Sequence, residues 1–373
     1  MVRIADWLTY ADIEQLKQLT RFYGCQTNNQ HSKNDLICAL LQQFGKKNQL
    51  RSQISTLSQA EQRFLQLLVF DQSPAYTFEE LLAKGRAALD GTDGEPRSLV
   101  VGALKRGWLF PGYSHRTQYL YHLPSDLGKQ MCDIFLEPYV QPHFRLMSKP
   151  SFYRDEQGQM MDDLRLFLDI LGKEDIRLTV DGSIYKQQQK YILQKMAIEE
   201  KPITEKGPRF GFGRRYHQYP DRFSFLYDYA FYQGYIIEDR EGYLRLNVEK
   251  SGKTNQQEEV GKEMVRFFIR LYRKPIPHLP IILRWISSLC HPGWMMTEVV
   301  YQAVDPWLAP YYYETKESLF DKVVRMLVHL GVLREGVDGE VHYLSLTPMG
   351  AKWLRGITAF REKVIEDRFL KLG

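Results

Sequence analysis

Residues 319–347 read LFDKVVRMLVHLGVLREGVDGEVHYLSLT. The first part, LFDKVVRMLVHLG, keeps a helical pattern and ends on Gly331, a residue suited to closing a helix. VLREGVDGEVHYLSLT then reads as a hairpin, because Asp338 with Gly339 is a strong turn signal. Thr347 can cap a closing helix, PMGAKWLRGI, with Pro348 in its first position. The same order of helix, glycine and hairpin occurs twice upstream. RSLVVGALKRG ends on Gly107 before WLFPGYSHRTQYLYHL, and FSFLYDYAFYQG ends on Gly234 before YIIEDREGYLRL. The three glycines are 127 and 97 residues apart, so these are repeated domains with insertions rather than a regular solenoid.

Each hairpin has helices before it. Ser58 with Glu61 forms a capping box before FLQLLVF, Thr77 with Glu80 forms another before LLAKGRAAL, and Pro96 opens the third helix. Three helices followed by a hairpin is the winged-helix arrangement, a variant of helix-turn-helix. MDDLRLFLDIL and LTVDGSIYKQQQKYILQKM precede the second hairpin; VRFFIRLY and LPIILRWISSL precede the third. At the start of the chain, two short helices flank the polar loop QTNNQH, with Ser32 and Asp35 opening the second. That pair resembles the SAP-like modules of DNA- and RNA-associated proteins, and equally suits an ordinary helical hairpin. The expected fold is mainly α with small β-hairpins: a helical SAP-like module (1–54), then tandem winged-helix domains over 55–145, 160–252 and 260–373.

At 373 residues the chain is long enough for several domains and a large core. Four cysteines lack CxxC spacing and form neither a zinc pattern nor a disulfide framework, which implies a reducing compartment. The opening, MVRIADWLTYADIEQL, lacks the apolar core of a signal peptide, and IPHLPIILRWISSLC is too short to span a bilayer. A soluble cytoplasmic protein without membrane partner, metal or cofactor is expected.

Residues 177–222 carry ten basic residues against five acids, a balance of +5 that equals the net charge of the whole chain. Such confinement points to a polyanionic partner, DNA or RNA. Within KGPRFGFGRRYHQYPDRF, Arg209, Arg214 and Arg215 suit phosphates, while Phe210, Phe212, Tyr216 and Tyr219 offer stacking faces, Tyr216 foremost. Gly207, Gly211 and Gly213 would let backbone amides approach an anion. The bland alternative has the aromatics in a core and the arginines paired with Glu199, Glu200 or Asp221. Lys186 and Lys190 share a helix face that suits a phosphate backbone, or simply faces solvent. Lys105 and Arg106 end the third helix of the first domain, and Arg116 with His115 tips its wing. These are binding positions in winged-helix domains, although basic residues at a helix end also complement its dipole. The paired acids Asp162 with Asp163, Glu199 with Glu200 and Glu258 with Glu259 have no histidine at metal-ligand spacing, so no catalytic centre is expected.

RLTVDGSIYKQQQKYI resembles the LT-x-x-G-x-x-x-K-R element of helicase-associated winged-helix proteins, similar to the N-terminal domain of XPB-type DNA repair helicases. Leu178, Thr179, Gly182 and Lys186 match, while Gln187 stands where a basic residue is usual. LSLTPMGAKWL, through Leu346, Thr347, Gly350 and Trp353, resembles the closing element of many winged-helix repeats. The likeness spans about residues 55 to 355 and contains neither a Walker A string nor a DEAD/DEAH-like box. It implies a non-enzymatic, nucleic-acid-binding accessory of a helicase, repair or replication assembly. The alternatives are a protein–protein scaffold, with exposed aromatics around Trp307, Tyr311, Tyr312 and Tyr313, and a nuclease with converging acids.

Overall fold

The computed structural model describes residues 2–25, 32–71, 73–204, 211, 213–252 and 257–355, and the chain divides into two units, Met1–Gln141 and Pro142–Gly373. It is mainly helical, with small antiparallel sheets.

The first unit runs α1 (Ile4–Tyr10), α2 (Ile13–Phe22), α3 (Lys33–Phe44), α4 (Lys47–Ser55), α5 (Gln59–Val69), β1 (Tyr76–Thr77), α6 (Phe78–Ala88), α7 (Pro96–Lys105), β2 (Phe110–Pro111), β3 (Leu120–His122) and α8 (Ser125–Leu136). Helix starts follow side-chain chemistry. Ser32 accepts the Asp35 N–H, and Ser58 with Glu61 and Thr77 with Glu80 close capping boxes, each satisfying amides that no helical partner reaches. Segments 1–54 and 55–145 are not set apart as two bodies: α4 and α5 both pack on α8, and α2 packs on α7. Their core includes Leu8, Leu16, Leu40, Phe64, Leu81, Val100 and Met131. A buried ion pair lies within it, Lys84 Nζ standing 2.8 Å from Asp71 Oδ2 and donating also to the Leu67 carbonyl. Burial pulls the Lys84 ammonium down to about 8, against the upward pull of Asp71.

The second unit runs β4 (Arg145–Leu146), β5 (Phe152–Arg154), α9 (Gln159–Lys173), β6 (Ile176–Arg177), α10 (Lys186–Lys195), α11 (Asp221–Tyr232), β7 (Ile236–Glu238), β8 (Tyr243–Leu246) and α12 (Val248–Ser251). It continues with α13 (Gln257–Tyr272), α14 (Leu279–Leu289), β9 (Trp294–Met296), α15 (Thr297–Val304), α16 (Lys316–His329), β10 (Leu333–Asp338), β11 (Val341–Leu346) and α17 (Pro348–Leu354). Segments 160–252 and 260–373 belong to this one unit. Tyr301, Gln302, Ala303 and Val304 are helical. Val299, Val300, Ala303 and Val304 form the buried stripe of α15, and the helix stops just before Pro306.

One order recurs three times: helix, short strand, helix, helix, strand, turn, strand. In each case the short first strand pairs with the last strand. The orders are β1-β3-β2, β6-β8-β7, and β9-β11-β10 within a five-stranded sheet that β4 and β5 extend. The turn glycines expected from sequence, Gly107, Gly234 and Gly331, all have positive φ (65°, 72° and 69°), a conformation that suits glycine at a helix end. Thr347 is fully buried; its hydroxyl donates to the Gly331 carbonyl and accepts the Gly350 N–H at 2.8 Å. That threonine ties the end of α16 to the start of α17.

The third helices differ in burial. In α11 every residue from Arg222 to Ala230 is buried, and α16 buries Leu319, Phe320, Val323, Val324 and four consecutive residues from Met326 to His329. Arg222, fully enclosed, sits against the carboxylates of Asp163 on α9 and Glu156 ahead of it, with Nε 3.5 Å from Glu156 Oε2. His329 Nδ1 of α16 lies 3.0 Å from the same Glu156 oxygen, and Arg154 donates to its other oxygen. Burial raises Glu156, but His329, Arg154 and Arg222 together outweigh it and hold the carboxyl below its usual range. Replacing Arg222 by methionine leaves two buried carboxylates without that cation, at a cost of about 3–5 kcal/mol. Chemical denaturation followed by tryptophan fluorescence should show that loss, with most of it recovered when Glu156→Gln and Asp163→Asn are added. A variant as stable as the wild type would refute the role given to Arg222.

Candidate nucleic-acid interface

The basic segment 177–222 divides into inward and outward cations. Arg214 and Arg215 are both buried. The Arg214 guanidinium donates to both oxygens of Glu238 at 3.1 and 3.2 Å and lies 3.8 Å from the Phe231 ring centroid. Arg215 donates to the Asp181 carbonyl at 2.5 Å and to Glu238 at 3.4 Å. The expectation that these two face phosphates is therefore corrected. Both reach a carboxylate on a separate element, Glu238 on β7, brought in by the hairpin. Glu200 accepts the N–H groups of Arg222 and Phe223, capping α11 where Pro220 has no side chain to do so.

Gly213 and Gly182 serve the same inward purpose. Gly213 has φ +120°, and a Cβ there would collide with Asp228 Oδ2, which accepts the Arg214 N–H at 2.8 Å. The anion that this backbone approaches is the chain's own carboxylate. A Cβ on Gly182 would collide with the Arg215 guanidinium, so the glycine of the LTVDGS turn makes room for that arginine. Tyr219, expected as a stacking face, is fully buried, and its hydroxyl accepts the Ile184 N–H. Tyr216 is half-buried beside His217. Arg209, Phe210, Phe212 and Gly207 lie outside the described residues.

Lys186 and Lys190 are exposed on α10. Lys186 borders a polar groove of about 900 Å³ with Arg177, Thr179, Tyr185, Gln187 and His217. Asp175 and Asp181 line the same groove, so its two cations are matched by two carboxylates.

The first unit presents a different surface. Residues 96–123 contain Arg97, Lys105, Arg106 and Arg116 and no aspartate or glutamate. α7 buries Leu99, Val100 and Ala103 and leaves Arg97, Ser98 and Lys105 exposed. Arg106 is half-buried and committed: it donates to Glu61 at 3.0 Å, lies 5.3 Å from the Trp108 ring centroid, and its carbonyl accepts the Tyr23 hydroxyl. Between β2 and β3 the chain makes a tight turn. Thr117 and Gln118 both donate to the Ser114 carbonyl at 2.9 Å, and His115 and Arg116 project from it exposed. The acids Asp90, Asp93 and Glu95 precede α7 and limit the positive face at its start. Sequence reading placed Lys105, Arg106 and Arg116 here but missed Arg97. The absence of acids from 96–123 is the signal that identifies this stretch.

Among the described residues no group of three histidine, cysteine, aspartate or glutamate side chains is placed to hold a metal ion, and no helix is long and apolar enough to cross a membrane. Comparison with family models, curated proteins and solved structures gave no match.

Asp228 ordinarily titrates near 3.8; burial raises it to about 7, opposed by the Arg214 N–H and the two guanidiniums and assisted by Glu238. Between those values the folded chain holds a proton that the unfolded chain has released. The contribution of this group is therefore full below the lower value and is lost as pH rises through the upper one. Denaturation at a series of pH values should show the wild type losing stability relative to Asp228→Asn from about pH 4 to 7. A relative gain over that range would contradict the assignment.

Proposed function

We propose that the chain is a non-catalytic nucleic-acid-binding protein, built from three winged-helix domains behind a SAP-like helical segment, and that it contacts duplex phosphates through α7 and the wing of its first unit. The single observation that carries this reading is the difference among the third helices. α11 is buried from Arg222 to Ala230, and the exposed stripe of α16, Glu317, Asp321 and Arg325, holds two acids to one base, whereas α7 keeps a basic face with no acid from residue 96 to 123. In three-helix variants of helix-turn-helix binding the third helix must enter a groove; α11, buried in its own unit, is unavailable for that, and the exposed acids of α16 would repel phosphates. The first domain then binds, and the second and third act as framework. Placement beside a helicase, repair or replication machine rests on the resemblance of RLTVDGSIYKQQQKYI and LSLTPMGAKWL alone. That first string owes its Gly182 to the Arg215 contact, which accounts for the residue structurally.

The scaffold reading keeps one supporting observation: Tyr312 and Tyr313 are 82% and 98% exposed, although Trp307 is buried.

Fluorescence anisotropy against a duplex across a salt series tests the proposal. Each phosphate contact contributes about 0.9 to the slope of log K against log salt. The Arg97→Ala/Lys105→Ala/Arg116→Ala variant should bind far more weakly, with a slope shallower by about 2–3. Lys186→Ala/Lys190→Ala should change little. Loss of binding in the second variant and not the first would move the interface to α10. No binding by wild type at low salt would favour the scaffold.

A further inference from the structure

An aromatic chain leads from the core of the first unit to its surface beside the wing. Trp7 of α1, 4% exposed, stacks on Phe110 of β2 (6.1 Å, 19°) and on His122 of β3 (4.7 Å, 28°). The edge of Tyr113 meets the same indole at 5.3 Å, and Tyr113 in turn stacks flat on Tyr10 at 4.0 Å and 12°. Tyr10, Tyr113 and Tyr119 are 59%, 54% and 76% exposed. A tyrosine pair in face-to-face contact, anchored on a buried tryptophan and left open to solvent, is rigid before any ligand arrives, so little ordering cost attends binding. The turn between Tyr113 and Tyr119 is also fixed, through the Ser114 and Thr117 hydroxyls at 2.7 Å, and carries His115 and Arg116.

Charge selects the occupant. The acids along α1 and its exit, Asp6 and Asp12, point one carboxylate oxygen back at the Arg3 and Gln15 backbone N–H groups, where they cap α1 and α2. The hairpin itself has no acid. Exposed aromatic faces beside an arginine, with no carboxylate on the same hairpin, are the combination that receives unpaired bases, each base stacking while the cation meets its phosphate.

We propose that Tyr10, Tyr113 and Tyr119 form a stacking site for unpaired bases, so that the preferred partner is a duplex carrying a single-stranded flank. The proposal rests on the reading of α7 and the wing as the duplex-binding face: α7 holds the paired part, and the tyrosines hold the bases that leave it.

The full chain should be titrated with a blunt duplex and with the same duplex extended on either strand by about ten unpaired nucleotides, a length within the span that stacking platforms cover. The extension should carry 2-aminopurine next to the junction. Wild type should bind one extended duplex about tenfold more tightly than the blunt one and quench the 2-aminopurine. Tyr10→Ala/Tyr119→Ala changes two exposed side chains and should abolish both the preference and the quenching, while Tyr10→Ala alone, on α1 and outside the wing, should weaken both and leave blunt-duplex affinity unchanged. Tyr10→Phe/Tyr119→Phe, which keeps the rings, should retain both. Equal affinities without quenching, or a preference that survives the double alanine variant, overturn the stacking site and leave the α7 reading standing. Failure to bind any of these duplexes at low salt overturns both.

Discussion

A cation removed from water must meet a carboxylate, and that requirement organises both units. Arg222 has no exposed surface, and its partners Asp163 and Glu156 bring α9, the turn before it, α11 and, through His329, α16 to one point. Glu200 then caps α11 beside it; burial raises its carboxyl despite the two backbone N–H groups it accepts. Glu238 takes both Arg214 and Arg215, and in the first unit Asp71 takes Lys84. Breaking any such pair strands a buried charge, so each fixes the packing of the elements that supply it.

This inward use of charge explains why binding is assigned to the first unit. In the second unit α11 is buried from Arg222 to Ala230, and a helix that is apolar and aromatic around most of its circumference belongs inside. FSFLYDYAFYQG illustrates it: even its one acid, Asp228, is buried and meets the backbone of Gly213 and Arg214. α7 has a single apolar stripe, so one side packs and the other, with Arg97 and Lys105, stays exposed. The β2–β3 hairpin is braced by Trp7, which stacks on Phe110 and His122 and so ties α1 to that hairpin.

Local chemistry was legible in the sequence wherever it acts over three or four residues. Ser58 with Glu61, Thr77 with Glu80, Thr347 before Pro348, and the glycines at 107, 234 and 331 all stand where their capping roles require. The short first strands β1, β6 and β9 were not legible. They are two or three residues long, have no alternation to detect, and exist only through pairing with strands far along the chain. The candidate site was harder still. Counting cations in 177–222 measured charge but not its direction. Arg214 and Arg215 find Glu238 more than twenty residues on, while the absence of acids around α7 is quieter than a run of arginines. Lysine and arginine totals report the potential that a partner meets only after the internal pairs are subtracted.

Lysine reactivity locates that potential directly. The full chain would be acetylated briefly with and without a duplex, and each lysine quantified by mass spectrometry. Lys105, Lys186 and Lys190 are all exposed in the free protein, so all three should react there. On the present account the duplex protects Lys105 and leaves Lys186 and Lys190 as reactive as before. Protection of Lys186 and Lys190 with Lys105 unchanged would contradict it.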